Sequence, residues 1–359
     1  MTGFGALAAG GLAWREQGEV VELSGLGDVF AQPALNGLLA AGPAAWDEAI
    51  AAARSHDGPR VPESDARVRL PFEVADYVDF YSSLEHATNL GRMFRPDQEP
   101  LLPNWRWLPV AYHGCAGSVV VSGTDVVRPR GQRKSPDADA PTFGPSGRLD
   151  FELELGFVVG VPTQLGHSVP VDAFADHVFG VVLVNDWSAR DIQAWEYVPL
   201  GPNLGKSFQT SISAWVTPLA LLEKQRVDGP EQRPPPLPHL AGGRDWALDA
   251  DLEVELNGTV VSRGNARSLY WTMPQQLAHA TSNGATVRAG DLMASGTISG
   301  PAPGSEGSLI ELTRNGAEPL SLPDGSRRTF LEDGDEVVLR GRAGDVELGE
   351  VRGRVLPAV

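Results

Sequence analysis

The stretch "LDFELELGFVVGV", residues 149 to 161, decides how the chain is read. Its side chains alternate, so Glu152 and Glu154 share one face of an extended strand while Phe151, Leu153 and Leu155 share the other. Taken alone, the run is most simply a half-buried strand with a solvated acidic face. Two like charges this close repel, however, and a cation held between them would remove that cost.

Working outward, short apolar runs recur between glycines and prolines. They include "GSVVVSG" (117–123), "HVFGVVLVND" (177–186), "DLEVELNGTVVSRG" (251–264), "DLMASGTISG" (291–300), "SLIELTRNG" (308–316) and "DEVVLRGRAGDVELGEVRGRVL" (335–356). Many short strands with few helices predict a mainly β (α+β) sheet or roll, not a doubly wound α/β fold. Residues 1 to about 70 read differently. "LAWREQGEVVELSGL" alternates like a hairpin with "QG" as its turn, and "PALNGLLAAGPAAWDEAIAAARSH" is helical but interrupted at Gly42-Pro43. The proline-rich "GPEQRPPPLPHLAGG" (229–243) reads as an extended surface strap.

The 359 residues and 42% hydrophobic content suffice for a large domain plus a small one, or two medium ones. A net charge of -17 argues against nucleic acid or an anionic membrane as partner. The longest apolar runs, such as residues 178–184, are too short to span a bilayer, and the N-terminal residues do not read as a signal peptide. A cytoplasmic enzyme or binding protein is the expectation. The single cysteine, Cys115, excludes an internal disulfide and a cysteine-based metal site.

Several other segments concentrate chemistry. "DYVDFYSSLEHATNLGRMFRP" (76–96) has little apolar periodicity and reads as one loop carrying Asp79, Tyr81, His86 and Arg95. "VNDWSARDIQAWEYVPLGPNLGKSF" (184–208) ends an apolar strand at Asp186. It then places Arg190, Gln193 and Tyr197 at i, i+3 and i+7 of a helix-like stretch. Lys206 follows in a glycine-flanked loop and is one of only three lysines. "SLIELTRNG" supplies Glu311 as an alternating strand acid, and "ASGTISG" sets Thr297 between glycines, where a turn is the simplest reading. Each signal alone is weak.

Together the segments resemble the fumarylacetoacetase (fumarylacetoacetate hydrolase) family, in order and from about residue 29 to near the C-terminus. The resemblance rests on "DYVDFYSSLEHATNLGRMFR", "LLPNWRWLPVAYHG", "GSVVVSGT", "LDFELELGF", "VLVNDWSARDIQAWEYVPLGPNLGKSF" and "YWTMPQQLAHATSNG". It implies a small SH3-like N-terminal β domain over residues 1–70. A large β-roll or β-sandwich catalytic domain follows over 71–359, in a homodimer. The implied activity is hydrolysis of 4-fumarylacetoacetate to fumarate and acetoacetate, the last step of tyrosine breakdown. Asp79, Glu152, Glu154 and Asp186 are the implied ligands of Ca2+ or Mg2+, with a further magnesium contact at Lys206 and Thr210. A lysine ammonium has no lone pair, so any contact at Lys206 is through its backbone carbonyl. His86 is the implied base, paired with Glu311, while Arg190, Gln193 and Lys206 stabilise the alkoxide and the departing carbon. Tyr81, Arg95, Tyr112, Gln193, Tyr197 and Thr297 are the implied contacts of a diketone dicarboxylate.

The chain departs from the family pattern in a shortened N-terminal module and in Cys115, where arginine is usual. A nucleophilic role for Cys115 is not needed, because His86 and the metal account for direct attack by water. Two alternatives stay open on sequence alone. One is another hydrolase of the superfamily acting on acylpyruvates, or an oxaloacetate decarboxylase. The other is a non-catalytic calcium-binding β-protein.

Overall fold

In the computed structural model, which describes residues 2–359, Leu153–Val159 and Val178–Asp186 form the central antiparallel pair. Leu155 lies opposite Leu183 and Phe157 opposite Val181. Every residue of both strands is buried. A strand covered on both faces needs apolar or small side chains at nearly every position, and "VFGVVLV" meets that requirement. One face, with Leu153, Leu155, Phe157, Val181 and Leu183, shares a core with Leu252, Val254, Leu339 and Val351 of a separate five-stranded sheet. The other face, with Val158, Val182 and Val184, joins Phe4, Trp46, Ile212 and Val216. The central pair is thus a wall shared by two hydrophobic layers, and the architecture is mainly β.

The sheet containing this pair is mixed. Leu292–Ala294 runs antiparallel to residues 156–158 and parallel to Tyr77–Phe80, which in turn pairs with Ala111–His113. Toward its far edge, where Arg60–Pro62 is the last strand, lies the expected N-terminal hairpin, Leu12–Glu16 with Glu19–Glu22, turned by Gln17 (φ 54) and Gly18 (φ 80) as a two-residue primed turn requires. The helical segment breaks where expected. Asn36–Ala40 ends, and Pro43–Ser55 restarts with proline in its first turn and buries Trp46, Ala49, Ile50 and Ala53. Gly3–Leu7 pairs with Trp215–Pro218, so the strand ladder runs unbroken from the N-terminal module into the large sheet.

Two local readings change. Residues 76–96 are not one loop. Asp79 sits in the strand Tyr77–Phe80, and Ser83 then caps a helix, Leu84–Phe94, by accepting from the His86 N–H at 3.2 Å. His86, Ala87, Leu90 and Gly91 are that helix's buried face. Residues Leu309–Leu312 form a single helical turn and not a strand. The reason is long-range, since the Asp150 carboxylate accepts from the N–H groups of Leu309 (2.7 Å) and Ile310 (3.1 Å).

Candidate active site

Four carboxylates meet where these strands end. Asp79 lies opposite Ala294 and Tyr112, Glu154 opposite Val184, and Asp186 opposite Thr210, while Glu152 precedes the central strand and bridges Ser308. Oxygens of Asp79, Glu152, Glu154 and Asp186 fall within 4.8 Å of one another, and all four residues are buried. The acidic face of the central strand is therefore not solvated. Glu152 and Glu154 share their face with Gly156 and Val158, the latter in the apolar core.

These carboxylates are not electrically equivalent. Burial works against charge on Glu152, but Lys206 and Arg190 outweigh it and hold the group well below the usual carboxylate range. Lys206 Nζ donates to Glu152 and, at 2.9 Å, to Asp186 Oδ2; Arg190 Nη2 donates to Glu152 Oε1 at 2.8 Å. Asp79 and Glu154 are pushed the other way, by burial first and then by neighbouring carboxylates. Among the described residues no ion pair reaches either one, and Asp79 Oδ1 and Glu154 Oε1 have no hydrogen-bond partner. Two orphaned, buried, mutually repelling oxygens in an all-carboxylate cluster fit a hard divalent cation. Gly296 (φ 77) closes the cluster, donating its N–H to Glu154 Oε2 at 3.1 Å. A Cβ there would lie 2.1 Å from the Phe80 carbonyl oxygen, so glycine is required.

Beside the cluster stands a charged dyad. His86 Nδ1 is 2.6 Å from Glu311 Oε2, and His86 Nε2 is 3.8 Å from Glu152 Oε1. Glu311 also accepts from Ser308 (2.6 Å), Ser299 (2.9 Å) and Asn89 (3.0 Å). Burial would raise its carboxyl, yet His86 and these donors bring it below its ordinary value. An acceptor-only carboxylate takes its hydrogen bond from His86 Nδ1–H, the tautomer in which a neutral imidazole has Nε2 as its acceptor.

The residues expected to bind substrate gather around the same space. A cavity of about 490 Å³ is lined by Asp79, Tyr81, His86, Arg95, Tyr112, Glu152, Glu154, Arg190, Gln193, Tyr197, Lys206 and Thr297. Arg190 Nη1 donates to Gln193 Oε1 at 3.2 Å, and the Tyr81 ring stands edge-on to His86, centroids 5.3 Å apart. The Tyr112 hydroxyl donates to Asp186 Oδ2 at 2.6 Å, and Thr210 to Asp186 Oδ1 at 2.8 Å, so both also steady the carboxylate cluster. Arg95 spends Nη2 on the Pro100 carbonyl (2.8 Å), while its Nε and the Thr297 hydroxyl have no partner. Two broader hollows, near Arg15 and near His239, lie elsewhere and contain none of these groups.

Sequence reasoning passed over Asp150, Asn89, Ser299 and Ser308. Only Asp150 carries a local signal, being an acid one residue before an alternating strand and itself fully buried.

Comparison with known proteins bears on the chain as a whole. The family model described as "Fumarylacetoacetate (FAA) hydrolase C-terminal" matches residues 76–356. A fumarylacetoacetase from Caenorhabditis elegans is 49% identical, over 92% of this chain and 85% of that protein. One from Homo sapiens is 46% identical with the same coverage, and one from Arabidopsis thaliana 48% identical over 92% and 84%. Among solved structures, a probable 2-hydroxyhepta-2,4-diene-1,7-dioate isomerase from Mycobacterium abscessus shares the fold at TM-score 0.62 and 17% identity, covering both chains fully. A fumarylacetoacetate hydrolase from Exiguobacterium antarcticum does so at TM-score 0.58 and 16% identity, covering 99% of each chain.

Proposed function

The chain belongs to the fumarylacetoacetate hydrolase family, and from that premise we propose how its residues hydrolyse fumarylacetoacetate. It is a hydrolase that cleaves a carbon–carbon bond of a 1,3-diketone, yielding fumarate and acetoacetate. The observation that carries the mechanism is the position of the His86–Glu311 dyad against the four-carboxylate cluster, with His86, Asp79, Glu152 and Glu154 lining one cavity.

His86 Nε2 takes a proton from water as the water oxygen adds to the ketone carbon. Glu311, kept ionised by its donors, holds the imidazole in the required tautomer and balances the imidazolium. The alkoxide so formed is met by Arg190, with Gln193 fixed beside it, and by Lys206. Asp186 and Glu152 hold that ammonium charged, against the effect of burial. Its positive charge also faces the enolate that departs when the carbon–carbon bond breaks. The His86 imidazolium returns its proton to that carbon, giving acetoacetate, and the new carboxyl group of fumarate releases the water's other proton. Asp79, Glu152, Glu154 and Asp186 would hold Ca2+ or Mg2+, beside the Thr210 hydroxyl and the Lys206 ammonium that already donate to Asp186. When bound, that ion supplies Lewis-acid polarisation of the diketone oxygens. Arg95 offers a planar fork to a substrate carboxylate, while Tyr81, Tyr112, Tyr197 and Thr297 position the chain between.

The test is a comparison of kcat/KM for fumarylacetoacetate, acylpyruvates and oxaloacetate in the presence of Ca2+ or Mg2+. Fumarylacetoacetate should lead. A clear preference for oxaloacetate would overturn the assignment.

The same reading includes residues 1–70 as a shortened SH3-like module ahead of a catalytic β-roll, a homodimer, and a cytoplasmic setting. Exposed Phe143, Val198 and Leu200 are apolar surface suited to a second copy, which sedimentation would detect. The free, exposed thiol of Cys115 suits a reducing compartment. No helix among the described residues is long and apolar enough to cross a membrane.

A further inference from the structure

We infer that Asp150 is a positioning residue that locks the His86–Glu311 dyad and the Arg190 arm into one register. Its side chain is fully buried and does not line the cavity, so it acts only through other groups. Both oxygens are shared. Oδ1 accepts from the N–H groups of Phe151 (2.9 Å) and Leu309 (2.7 Å), and Oδ2 accepts from Arg190 Nε (2.8 Å) and the Ile310 N–H (3.1 Å). One carboxylate thereby ties the segment leading to Glu152, the guanidinium that grips Glu152, and the turn that carries Glu311.

The arrangement of Ser308 shows why this exceeds ordinary helix capping. Ser308 occupies the N-cap position of the 309–312 turn, where a serine hydroxyl usually accepts from the first free N–H groups. Here it makes no cap bond and donates instead to Glu311 at 2.6 Å. The turn's own capping side chain is committed to the dyad, and its orphan N–H groups are answered from the Arg190 side of the site. Displacing the turn relative to Arg190 therefore moves Glu311, and with it His86, relative to the carboxylate cluster. Four donors surround Asp150, two on each oxygen.

This inference rests on the roles proposed above for His86, Glu311 and Arg190. Asp150→Asn preserves shape but turns one oxygen into a donor, which must face either Arg190 Nε or a backbone N–H. Turnover should fall by roughly 10- to 100-fold with KM changed by less than about threefold, the scale for lost supporting contacts. Cation binding by calorimetry should persist, and the Nδ1 proton resonance of His86 should shift. Combining Asp150→Asn with Glu311→Gln should cost less than the product of the two single losses. A variant with lowered melting temperature but full turnover and an unmoved His86 resonance would overturn the inference.

Should the variant not fold, the intact enzyme provides the readout. The Leu309 and Ile310 amides should exchange as slowly as those of the central strand, and rapid exchange there would refute the clamp. Neither the resonance nor the exchange experiment uses substrate. Failure of the intact enzyme to hydrolyse fumarylacetoacetate would instead overturn the proposed function.

Discussion

Glu311→Gln is the most informative single change in the dyad. The substitution is isosteric, and Glu311 is buried, so packing is preserved and only charge and proton direction change. In the native site the carboxylate accepts from His86 Nδ1 at 2.6 Å and from Ser308, Ser299 and Asn89. A hydrogen bond to a charged group contributes about 1.5–3 kcal/mol. At about 1.4 kcal/mol per decade, its loss alone lowers turnover roughly 10- to 150-fold. A second effect adds to this. An amide NH2 facing the ring makes Nδ1 the acceptor, which moves the ring proton to Nε2 and blocks the base. Fixing the wrong tautomer in an analogous dyad costs about 10⁴-fold. The fall in kcat should therefore lie between about 10²- and 10⁴-fold, with KM little altered. The assay follows loss of the conjugated diketone's absorbance at saturating cation. A Glu311→Gln enzyme with kcat within about threefold of the native value would refute the reasoning.

Further outcomes follow from the same contacts. Asp186→Ala removes a carboxylate that receives Tyr112, Lys206 and Thr210, so cation affinity measured by calorimetry and turnover should fall together. Chelation of the native enzyme should abolish turnover and lower stability by about 2.7 kcal/mol relative to cation at one hundred times its Kd; scanning calorimetry reads this directly. Gly296→Ala places a Cβ 2.1 Å from the Phe80 carbonyl oxygen at φ 77, and should destabilise by more than about 1 kcal/mol while weakening cation binding through Glu154. Asp335, buried and bonded to Arg328, Asn257 and the Glu332 N–H, is held below the ordinary aspartate value because these contacts outweigh burial. Its contribution is present above the unfolded aspartate pKa of about 3.9 and is lost as pH falls through the lower folded value. Asp335→Ala should accordingly cost about 2 kcal/mol in denaturant melts at pH 7, with the difference shrinking below about pH 3.9.

Legibility followed the range of the interaction. The alternation of residues 149–159, the apolar run 178–184 and the Gln17–Gly18 turn are local patterns, and the structure realises them as strands and a hairpin. The solvated acidic face failed as a reading because alternation does not say what covers a strand. Here Tyr77–Phe80 and Leu292–Ala294, distant in sequence, bring Asp79 and Gly296 onto Glu154. The 309–312 turn was misread as a strand because its stabilising carboxylate, Asp150, is 159 residues away. The helix after Ser83 was legible in principle, from a serine cap and buried positions at 86, 87, 90 and 91. Its helical stripe is partly polar, His86 included, so apolar periodicity alone did not reveal it. Roles for individual site residues came from resemblance to a family, and the structure supplies the contacts by which each can act.

The central claim is that Asp79, Glu152, Glu154 and Asp186 cage one divalent cation beside the His86–Glu311 dyad. Anomalous diffraction from crystals of the intact enzyme grown with Ca2+ tests it most directly. The account predicts a single strong peak about 2.3–2.6 Å from oxygens of all four side chains. A cluster without a peak, in crystals of enzyme turning over fumarylacetoacetate under the same conditions, would contradict it.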